Sequence, residues 1–287
     1  MSKRFQRRWR KIKKKDIAAV EELLRSHERW CMNACNRYLN RRSEKDTVWL
    51  LKNKTEDIIA LIVRSKQSLL PVLAAGVAQD EKPIPPPYFL RGFFGSVPVH
   101  SLQGRKEDML IMEAALEKVG LYAEEKLDYD LMCIDHPPSG FNAPCAGLTF
   151  RKPNSGDMDA LVALHAAYEQ EEVLPTASEF SAAASRMNIE RIFAKEQIYV
   201  AELDGRLIGK INTNASTFTR YQVGGVYVLP EYRGRGIARR MAGEFITDLV
   251  AQGKDISLFV KKTNPAARRV YQRIGFEILG DYQINYY

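Results

Sequence analysis

A glycine- and arginine-rich turn between a strand and a helix is the part of the sequence best suited to chemistry. Residues 226–240 read VYVLPEYRGRGIARR. Gly234 and Gly236 allow the backbone to turn with its N–H groups exposed, and the following helix adds its positive N-terminal end. The turn also carries four cationic side chains, those of Arg233, Arg235, Arg239 and Arg240. Together these features predict a site for a phosphate or pyrophosphate, and so for a phosphorylated cofactor.

The turn departs from the dinucleotide and Walker patterns, because it lacks a third glycine, an acidic ribose ligand and a Gly-Lys-Ser/Thr sequence. It resembles instead the pyrophosphate loop, Q/R-x-x-G-x-G/A, of the GNAT superfamily of acyl-CoA-dependent N-acyltransferases. Arg233, Gly236 and Ala238 fill that pattern. The later segment NPAARRVYQRIGF is similar to the second cofactor segment of the family, at Asn264, Ala267, Tyr271, Gly275 and Phe276. The resemblance covers residues 148–287.

The resemblance implies acetyl-CoA as the acyl donor, with no metal. In the family the third and fourth long strands splay apart near a bulge; here that gap would lie between residues 221–229 and 256–260. Gly224 and Gly225 suit the bulge, because paired glycines weaken regular strand pairing. The implied contacts are the backbone of Val226, Tyr227 and Val228 for the acyl and pantetheine portion, the amides of Arg233, Gly234, Arg235, Gly236, Ile237, Ala238 and Arg239 for the pyrophosphate, and Asn264 for the pantetheine arm.

The reaction that the resemblance implies is direct attack of an amine on the thioester. Tyr271 matches the position that supplies the acid in many family members, and a phenol with an ordinary pKa near 10 is protonated at neutral pH. The alternative is that Tyr271 only packs against CoA.

The general base and the acceptor site are less well defined by the sequence. Glu171 and Glu172 follow the first helix of this region and are candidates to bind a cationic amine, although such a pair also occurs at solvated helix ends. Glu202 and Tyr227 are weaker candidates for the base. His165 lies on a mainly apolar helix, and we expect it to be packed.

The predicted elements around these residues are strands and helices in alternation. Asp204-Gly205 predicts a hairpin between strands at 198–203 and 206–212. A helix is predicted from residue 236 to about 251. Its apolar row, Ile237, Met241, Phe245 and Leu249, recurs every four residues and should pack the helix on the sheet. The expected fold class is α/β (α+β), with a mixed, mainly antiparallel twisted sheet flanked by helices and a GNAT fold in the C-terminal half.

A proline- and glycine-containing segment, DHPPSGFNAPCAG, predicts a linker at 135–147. We therefore expect an N-terminal domain at 1–134 and an acetyltransferase domain at 148–287. The N-terminal domain has a predicted helix at 16–39, strands at 49–51, 58–63 and 95–99, and a helix at 107–119. This order resembles a partial, degenerate GNAT unit. Its turn at 100–108, HSLQGRKED, has only Gly104 and departs from the cofactor pattern.

Charge is concentrated at the N-terminus. Nine of the 43 lysines and arginines lie in the segment that begins at Lys3 and ends at Lys15, which contains no acid, and the remaining 34 nearly balance the 35 acids. Such a segment can bind nucleic acid or an anionic surface, but a solvated terminus is the simpler interpretation.

Length and composition favour a globular protein of two domains. The chain has 287 residues, of which 45% are hydrophobic and 27% charged. The most apolar stretch, 58–77, contains Arg64, Lys66 and Pro71 and is too interrupted to span a membrane. Without an export signal, the cysteines should be reduced and the protein cytoplasmic. His27, Cys31 and Cys35 share a helical face and could ligate a metal, although free cysteines are also commonly buried as apolar residues.

The sequence thus predicts an N-acetyltransferase that acts on a primary amine, either of a small molecule or of a protein. The main alternative is a nonenzymatic acyl-CoA sensor or interaction module. A third interpretation has the N-terminal cations bind RNA or a ribosomal acceptor. The identity of the acceptor, the acyl-chain length and the oligomeric state stay open at this level.

Overall fold

The computed structural model describes residues 9–41, 46–75, 85, 90, 98–141, 147–174 and 180–287. Its contacts divide the chain into a first unit, Met1–Leu131 with Leu279–Tyr287, and a second unit, Met132–Ile278. The domain boundaries expected from the sequence remain a prediction. One difference is that residues 279–287, expected in the C-terminal domain, have their contacts in the first unit. Of the predicted linker, 142–146 lie outside the described residues, and 135–141 form no helix or strand.

The strands, in chain order, are β1 (Arg10–Lys11), β2 (Thr47–Lys52), β3 (Ile58–Ser65), β4 (Ser68–Leu73), β5 (Ser101–Arg105), β6 (Glu125–Ile134), β7 (Leu148–Arg151), β8 (Ile198–Leu203), β9 (Arg206–Ser216), β10 (Arg220–Val228), β11 (Asp255–Lys261) and β12 (Glu277–Tyr286). The α-helices are α1 (Ile17–Ser26), α2 (Met32–Leu39), α3 (Lys106–Glu117), α4 (Met158–Tyr168), α5 (Ala182–Lys195), α6 (Ile237–Ala251) and α7 (Pro265–Arg273).

The first unit is a mixed sheet with strands in the order β1-β2-β3-β4-β5-β12-β6. β4 and β5 pair in parallel, whereas β1–β2, β2–β3, β3–β4 and β5–β12 are antiparallel. α3 contributes Met109, Met112 and Leu116 to the core of this unit. Two predictions here were wrong. The helix expected over 16–39 is two helices, and the turn expected at 100–108 is strand β5 running into α3, with Leu102 buried in the core.

Other predictions for the first unit fall on residues that are only partly described. The predicted strand at 95–99 lies mostly outside the described residues, and residues 1–8, which include the first six residues of the cationic segment, lie wholly outside them. Within the described part of that terminus, Arg10 donates two hydrogen bonds to buried Asp16, at 2.7 and 2.8 Å. This cation therefore has a structural partner.

The second unit contains strands in the order β11-β10-β9-β8-β7. β10 and β11 are parallel, and the other neighbouring pairs are antiparallel. The predicted hairpin at Asp204-Gly205 and the predicted helix α6 are confirmed. The predicted apolar row of α6 is also confirmed, since Ile237, Met241, Phe245 and Leu249 are all buried in the main core of this unit. α4 and α5 supply a second core with β8 and β9, which includes Leu161, Leu164, Ile189 and Ile192.

None of the helices within the described ranges is both long enough and apolar enough to cross a membrane.

Candidate functional site

The site forms where β10 parts from β11. Their parallel pairing runs from Arg220 to Val223 of β10 and ends opposite Leu258. Just beyond, the register between β10 and β9 shifts between Gly224 and Tyr227. Gly225 adopts a positive φ of 58°, a backbone conformation that is costly for residues with a side chain. The predicted gap and the predicted bulge are therefore confirmed.

The loop after β10 is shaped to expose backbone amides. Gly234 and Gly236 have φ values of 77° and 76°, and Gly236 is the N-cap of α6. The first backbone hydrogen bond of the helix is donated by the Arg240 amide to the Gly236 carbonyl, at 3.1 Å. The preceding amides of the helix have no acceptor within it. This geometry leaves a row of N–H donors from Gly234 to Arg239 available for an anion.

Arg233 itself is already engaged. Its Nε donates to the Val228 carbonyl at 2.9 Å, and its two terminal nitrogens donate to the Glu171 carboxylate at 2.6 and 2.8 Å. The guanidinium also lies over the Tyr227 ring, 5.2 Å from its centroid. The hydrogen bond from Arg233 lowers the pKa of Glu171. Two residues that the sequence suggested for different ligands, pyrophosphate and amine, are thus joined in one ion pair.

Asn264 is likewise occupied in part. Its Oδ1 accepts a hydrogen bond from the Ala267 amide at 3.0 Å, which caps α7. Its Nδ2 makes a long hydrogen bond of 3.5 Å to Glu172. The capping bond fixes the orientation of the side chain. In this conformation, therefore, only the Nδ2 side of Asn264 is suited to the predicted contact with a pantetheine arm.

Tyr271 is 7% exposed, and its ring meets Phe276 edge-on, with 5.7 Å between centroids. Burial, with smaller contributions from Tyr168 and Glu172, raises its pKa. The phenol is consequently protonated at neutral pH, as a proton donor must be. Its role as the acid stays a prediction.

Sequence reasoning missed Lys210, which is fully buried on β9. Its Nζ donates to the Gly225 carbonyl at 2.8 Å and to Asn212 Oδ1 at 3.1 Å, and lies 4.5 Å from the centroid of the Tyr168 ring. Burial lowers the pKa of Lys210 to about 7, although the negative charge of Glu169 opposes the shift. An ionisable amine therefore holds the peptide at the centre of the bulge.

Lys210 begins a row of polar side chains along one face of β9. Asn212 Nδ2 donates to Asn214 Oδ1 at 2.9 Å, so the hydrogen bonds run in one direction from Lys210 to Asn214. The row fits against the two glycines of the bulge. A Cβ atom on Gly225 would lie 2.0 Å from Asn212 Oδ1, and one on Gly224 would lie 2.1 Å from Asn214 Nδ2. The sequence signal for this row is the alternation of Lys210, Asn212 and Asn214 in KINTN, which places the three side chains on one face of a strand.

A second polar group lies on α4, on the turn that follows it and on α5. Glu169 Oε1 accepts a hydrogen bond from Asn188 Nδ2 at 2.8 Å and lies 3.1 Å from His165 Nε2. Burial, reinforced by the charge of Lys210, lowers the pKa of His165 to about 4, so its ring is neutral at pH 7. Burial disfavours the charged form of Glu169, but its polar and cationic neighbours outweigh this and lower its pKa. His165 is packed, as expected, but within a polar cluster.

The two polar groups border one cavity of about 190 Å³. Its lining residues are His165, Tyr168, Glu169, Val173, Asn188, Arg191, Ile192, Asn212, Asn214 and Gly225. Burial raises the pKa of Tyr168 to about 12, opposed by a hydrogen bond with the Gly225 backbone. Because Gly225 is one of the lining residues, the cavity reaches the bulge. Neither Glu171 nor Glu172 is among the residues that line it.

The remaining sequence candidates have structural partners. Glu202 accepts a hydrogen bond from Arg151 Nε at 2.7 Å and lies on β8. His27 Nδ1 lies 3.1 Å from the Leu23 carbonyl, and the thiols of Cys31 and Cys35 lie 3.5 Å apart. Within the described ranges, no three His, Cys, Asp or Glu side chains come together as a metal-binding group.

The same part of the chain is similar to a known protein family. The model of the Acetyltransferase (GNAT) family matches residues 161–276, which include the bulge, the glycine loop and α7. This match identifies a GNAT domain at residues 161–276.

Solved structures extend the likeness of the GNAT fold along the chain. A GCN5-related N-acetyltransferase from Sphaerobacter thermophilus has a TM-score of 0.60 at 17% identity, covering 97% of this chain and 94% of that one. A GNAT-family acetyltransferase from Colwellia psychrerythraea has a TM-score of 0.57 at 10% identity, covering 97% and 98%. A Drosophila protein reaches a TM-score of 0.67 at 12% identity, covering 98% and 99%. At these identities the likeness concerns the fold alone. It agrees with the expected mixed, mainly antiparallel sheet flanked by helices and with a two-part GNAT architecture.

A curated relative from Mycobacterium leprae, described as an uncharacterized protein, is 42% identical over 60 residues. The match spans 21% of this chain and 16% of the length of that relative.

Proposed function

We propose that this protein transfers an acetyl group from acetyl-CoA to a primary amine. The observation that carries the proposal is the conjunction of an open edge of β10, a bulge at Gly224 and Gly225, and the exposed amides that precede α6. Each of these features fits one part of an acyl-CoA. The amides suit the diphosphate, and the edge of β10 beyond Val223 suits the amides of the pantetheine arm.

Acetyl-CoA supplies a thioester whose carbonyl carbon forms a C–N bond with the amine nitrogen as the C–S bond breaks, while the amine loses a proton and the thiolate gains one. The chain has candidate groups for two requirements of this reaction, a proton donor to the thiolate and hydrogen-bond donors to the carbonyl oxygen. Tyr271 keeps its phenolic proton at neutral pH and is the proposed donor to the thiolate. The bulge amides are the proposed donors to the carbonyl oxygen, where hydrogen bonds stabilise the negative charge of the transition state.

The thiols of Cys31 and Cys35 lie 3.5 Å apart and are not joined by a disulfide. Reduced thiols support the further proposal that the protein acts in the cytoplasm. The acceptor can be a small molecule or a protein amino group, and the properties of the cavity bear on this choice below.

Calorimetric titration with acetyl-CoA and with CoA tests the cofactor site. Arg233→Ala removes the hydrogen bond to the Val228 carbonyl and leaves Glu171 uncompensated beside the loop. We expect it to weaken acetyl-CoA binding about tenfold or more, because the loss of a hydrogen bond to a charged group costs enough free energy to change a dissociation constant by about that factor. Arg206→Ala is the control, because Arg206 is an exposed arginine of the same domain that pairs with Glu231.

Absence of binding to the wild-type protein would contradict the proposed site. Thiol release against a panel of amines then tests the chemistry. If acetyl-CoA binds but no amine of the panel causes release of the CoA thiol, the nonenzymatic sensor would be favoured over the transferase.

A further inference from the structure

A cavity lies between the glycine bulge and the Glu169 cluster. Its volume of about 190 Å³ is below the roughly 300–1,000 Å³ that is typical of pockets for drug-sized ligands. A ligand that fits inside it is accordingly small. The cavity reaches Gly225, so such a ligand would lie beside the bulge where the proposed function puts the acyl group.

The wall of the cavity formed by α4 and α5 is suited to a cation. Glu169 is ionised at neutral pH, because its polar and cationic neighbours lower its pKa. Its direct contacts are with Asn188, with the Ser185 hydroxyl and with the neutral ring of His165, and the charge of Lys210 acts on it as well. His165 Nδ1 is also buried, with no hydrogen-bond partner in the described part of the chain. An ammonium group would bring hydrogen-bond donors and a positive charge into direct contact with the Glu169 carboxylate.

The opposite wall is suited to an oxygen atom. The row on β9 directs each amide in the same sense, with Lys210 donating to Asn212 and Asn212 donating to Asn214 Oδ1. This direction leaves the Nδ2 donors of Asn214 at the exposed end of the row. On the α5 side, Arg191 also lines the cavity and donates to Asn188 Oδ1 at 2.9 Å. A hydroxyl, carbonyl or carboxylate oxygen of the ligand complements these donors.

We propose that this cavity is the acceptor pocket and that it takes a small primary amine bearing an oxygen function, with its ammonium on Glu169 and its oxygen on Asn214. The inference rests on the proposed acetyl transfer. In this proposal the residue that binds the amine is Glu169, and not Glu171 or Glu172 as the sequence suggested. The proposal also favours a small molecule over the amino group of a folded protein.

The test measures binding and turnover separately. The probes are ethanolamine, glycinamide and β-alanine, each compared with a hydrocarbon amine of equal heavy-atom count. Saturation-transfer NMR reports binding of each probe to the full-length protein, and thiol release in the presence of acetyl-CoA reports turnover. We expect an oxygen-bearing probe to bind at least about tenfold more tightly than its hydrocarbon analogue, because a buried polar site discriminates against a ligand that leaves it unpaired.

Two variants assign the two walls. Asn214→Ala should remove the preference for oxygen-bearing probes while retaining affinity for the hydrocarbon amines. Glu169→Gln should weaken binding of both classes about tenfold or more. Ser216→Ala on the same strand and Asp159→Asn on α4, neither of which lines the cavity, are the matched controls.

The outcomes separate this inference from the proposed function. If no oxygen-bearing probe binds more tightly than its hydrocarbon analogue, or if Asn214→Ala leaves the preference intact, the pocket assignment is wrong even when acetyl-CoA binds and amines are acetylated. If the preference is present and lost in Asn214→Ala but no thiol is released, the pocket assignment holds and the transferase proposal fails.

Discussion

Replacing Lys210 with Met should make the stability of this protein respond differently to pH. The lysine is fully buried, and its pKa falls from the ordinary value of 10.5 to about 7 in the folded protein. Because the folded-state pKa is the lower one, the unfolded chain binds more protons between these values, and stability rises with pH across this range. With about 1.36 kcal/mol per pKa unit, this group alone adds about 2.5 kcal/mol to the free energy of unfolding between pH 6 and pH 9. Met has a similar length and no proton to bind.

The sign of the substitution should therefore depend on pH. At pH 9 the variant leaves the Gly225 carbonyl and Asn212 Oδ1 without their donor, which costs about 1–3 kcal/mol for each buried group. At pH 6 this loss is offset, because the variant no longer buries an ammonium. We expect the wild-type protein to gain about 2.5 kcal/mol over the variant from pH 6 to pH 9.

Urea unfolding at pH 6, 7, 8 and 9 measures this difference. The three tryptophans, Trp9, Trp30 and Trp49, are all in the first unit. Far-UV circular dichroism or hydrogen exchange of β9 peptides is consequently the better probe of the second unit. Lys195→Met, at an exposed position on α5, is the control. Free energies of the wild type and Lys210→Met that run parallel across this pH range, within about 0.5 kcal/mol, would refute the reasoning.

Three other substitutions examine the site. Tyr271→Phe should lower turnover about a hundredfold with little change in acetyl-CoA affinity, as expected for a general acid, and equal turnover in the two proteins would remove that role. Glu171→Gln should tighten acetyl-CoA binding severalfold at low salt, because it removes a negative charge beside the loop; weaker binding in calorimetry would show that the carboxylate is needed to hold Arg233 in place. Gly225→Ala should reduce both thermal stability and turnover, because its φ is 58° and the new Cβ would meet Asn212 Oδ1 at 2.0 Å; an unchanged melting temperature and unchanged turnover would contradict the bulge geometry.

The parts of the site that depend on local backbone chemistry could be predicted from the sequence. Gly234 and Gly236 adopt the positive φ values that the turn requires, and Gly224 and Gly225 mark the bulge. The row of apolar residues on α6 was equally readable, because helical periodicity alone decides which side faces the core. In each case residues adjacent in sequence carry the whole signal.

Contacts between distant residues could not be read in the same way. The Arg233–Glu171 pair joins residues 62 positions apart, and nothing in either segment indicates the other. The environment of Lys210 depends on β8, β10 and α4 closing around it, so the sequence showed a strand lysine but not its burial. The break between α1 and α2 was missed for a related reason, since the apolar pattern continues through Trp30 and Cys31.

Which glutamate faces the cavity depends on one irregular turn of helix. After α4 the segment Glu169–Val173 is π-helical, and the Leu174 amide donates to the Glu169 carbonyl at 2.9 Å, five residues back. The wider turn spreads three carboxylates over three surroundings: Glu169 contacts Asn188, Glu171 contacts Arg233, and Glu172 contacts Asn264. If EQEEV is assumed to be a regular α-helix, the sequence gives no reason to expect different surroundings for its three glutamates. Because the same turn contacts the cavity, the glycine loop and the cap of α7, its conformation links the proposed amine pocket to both parts of the proposed cofactor site.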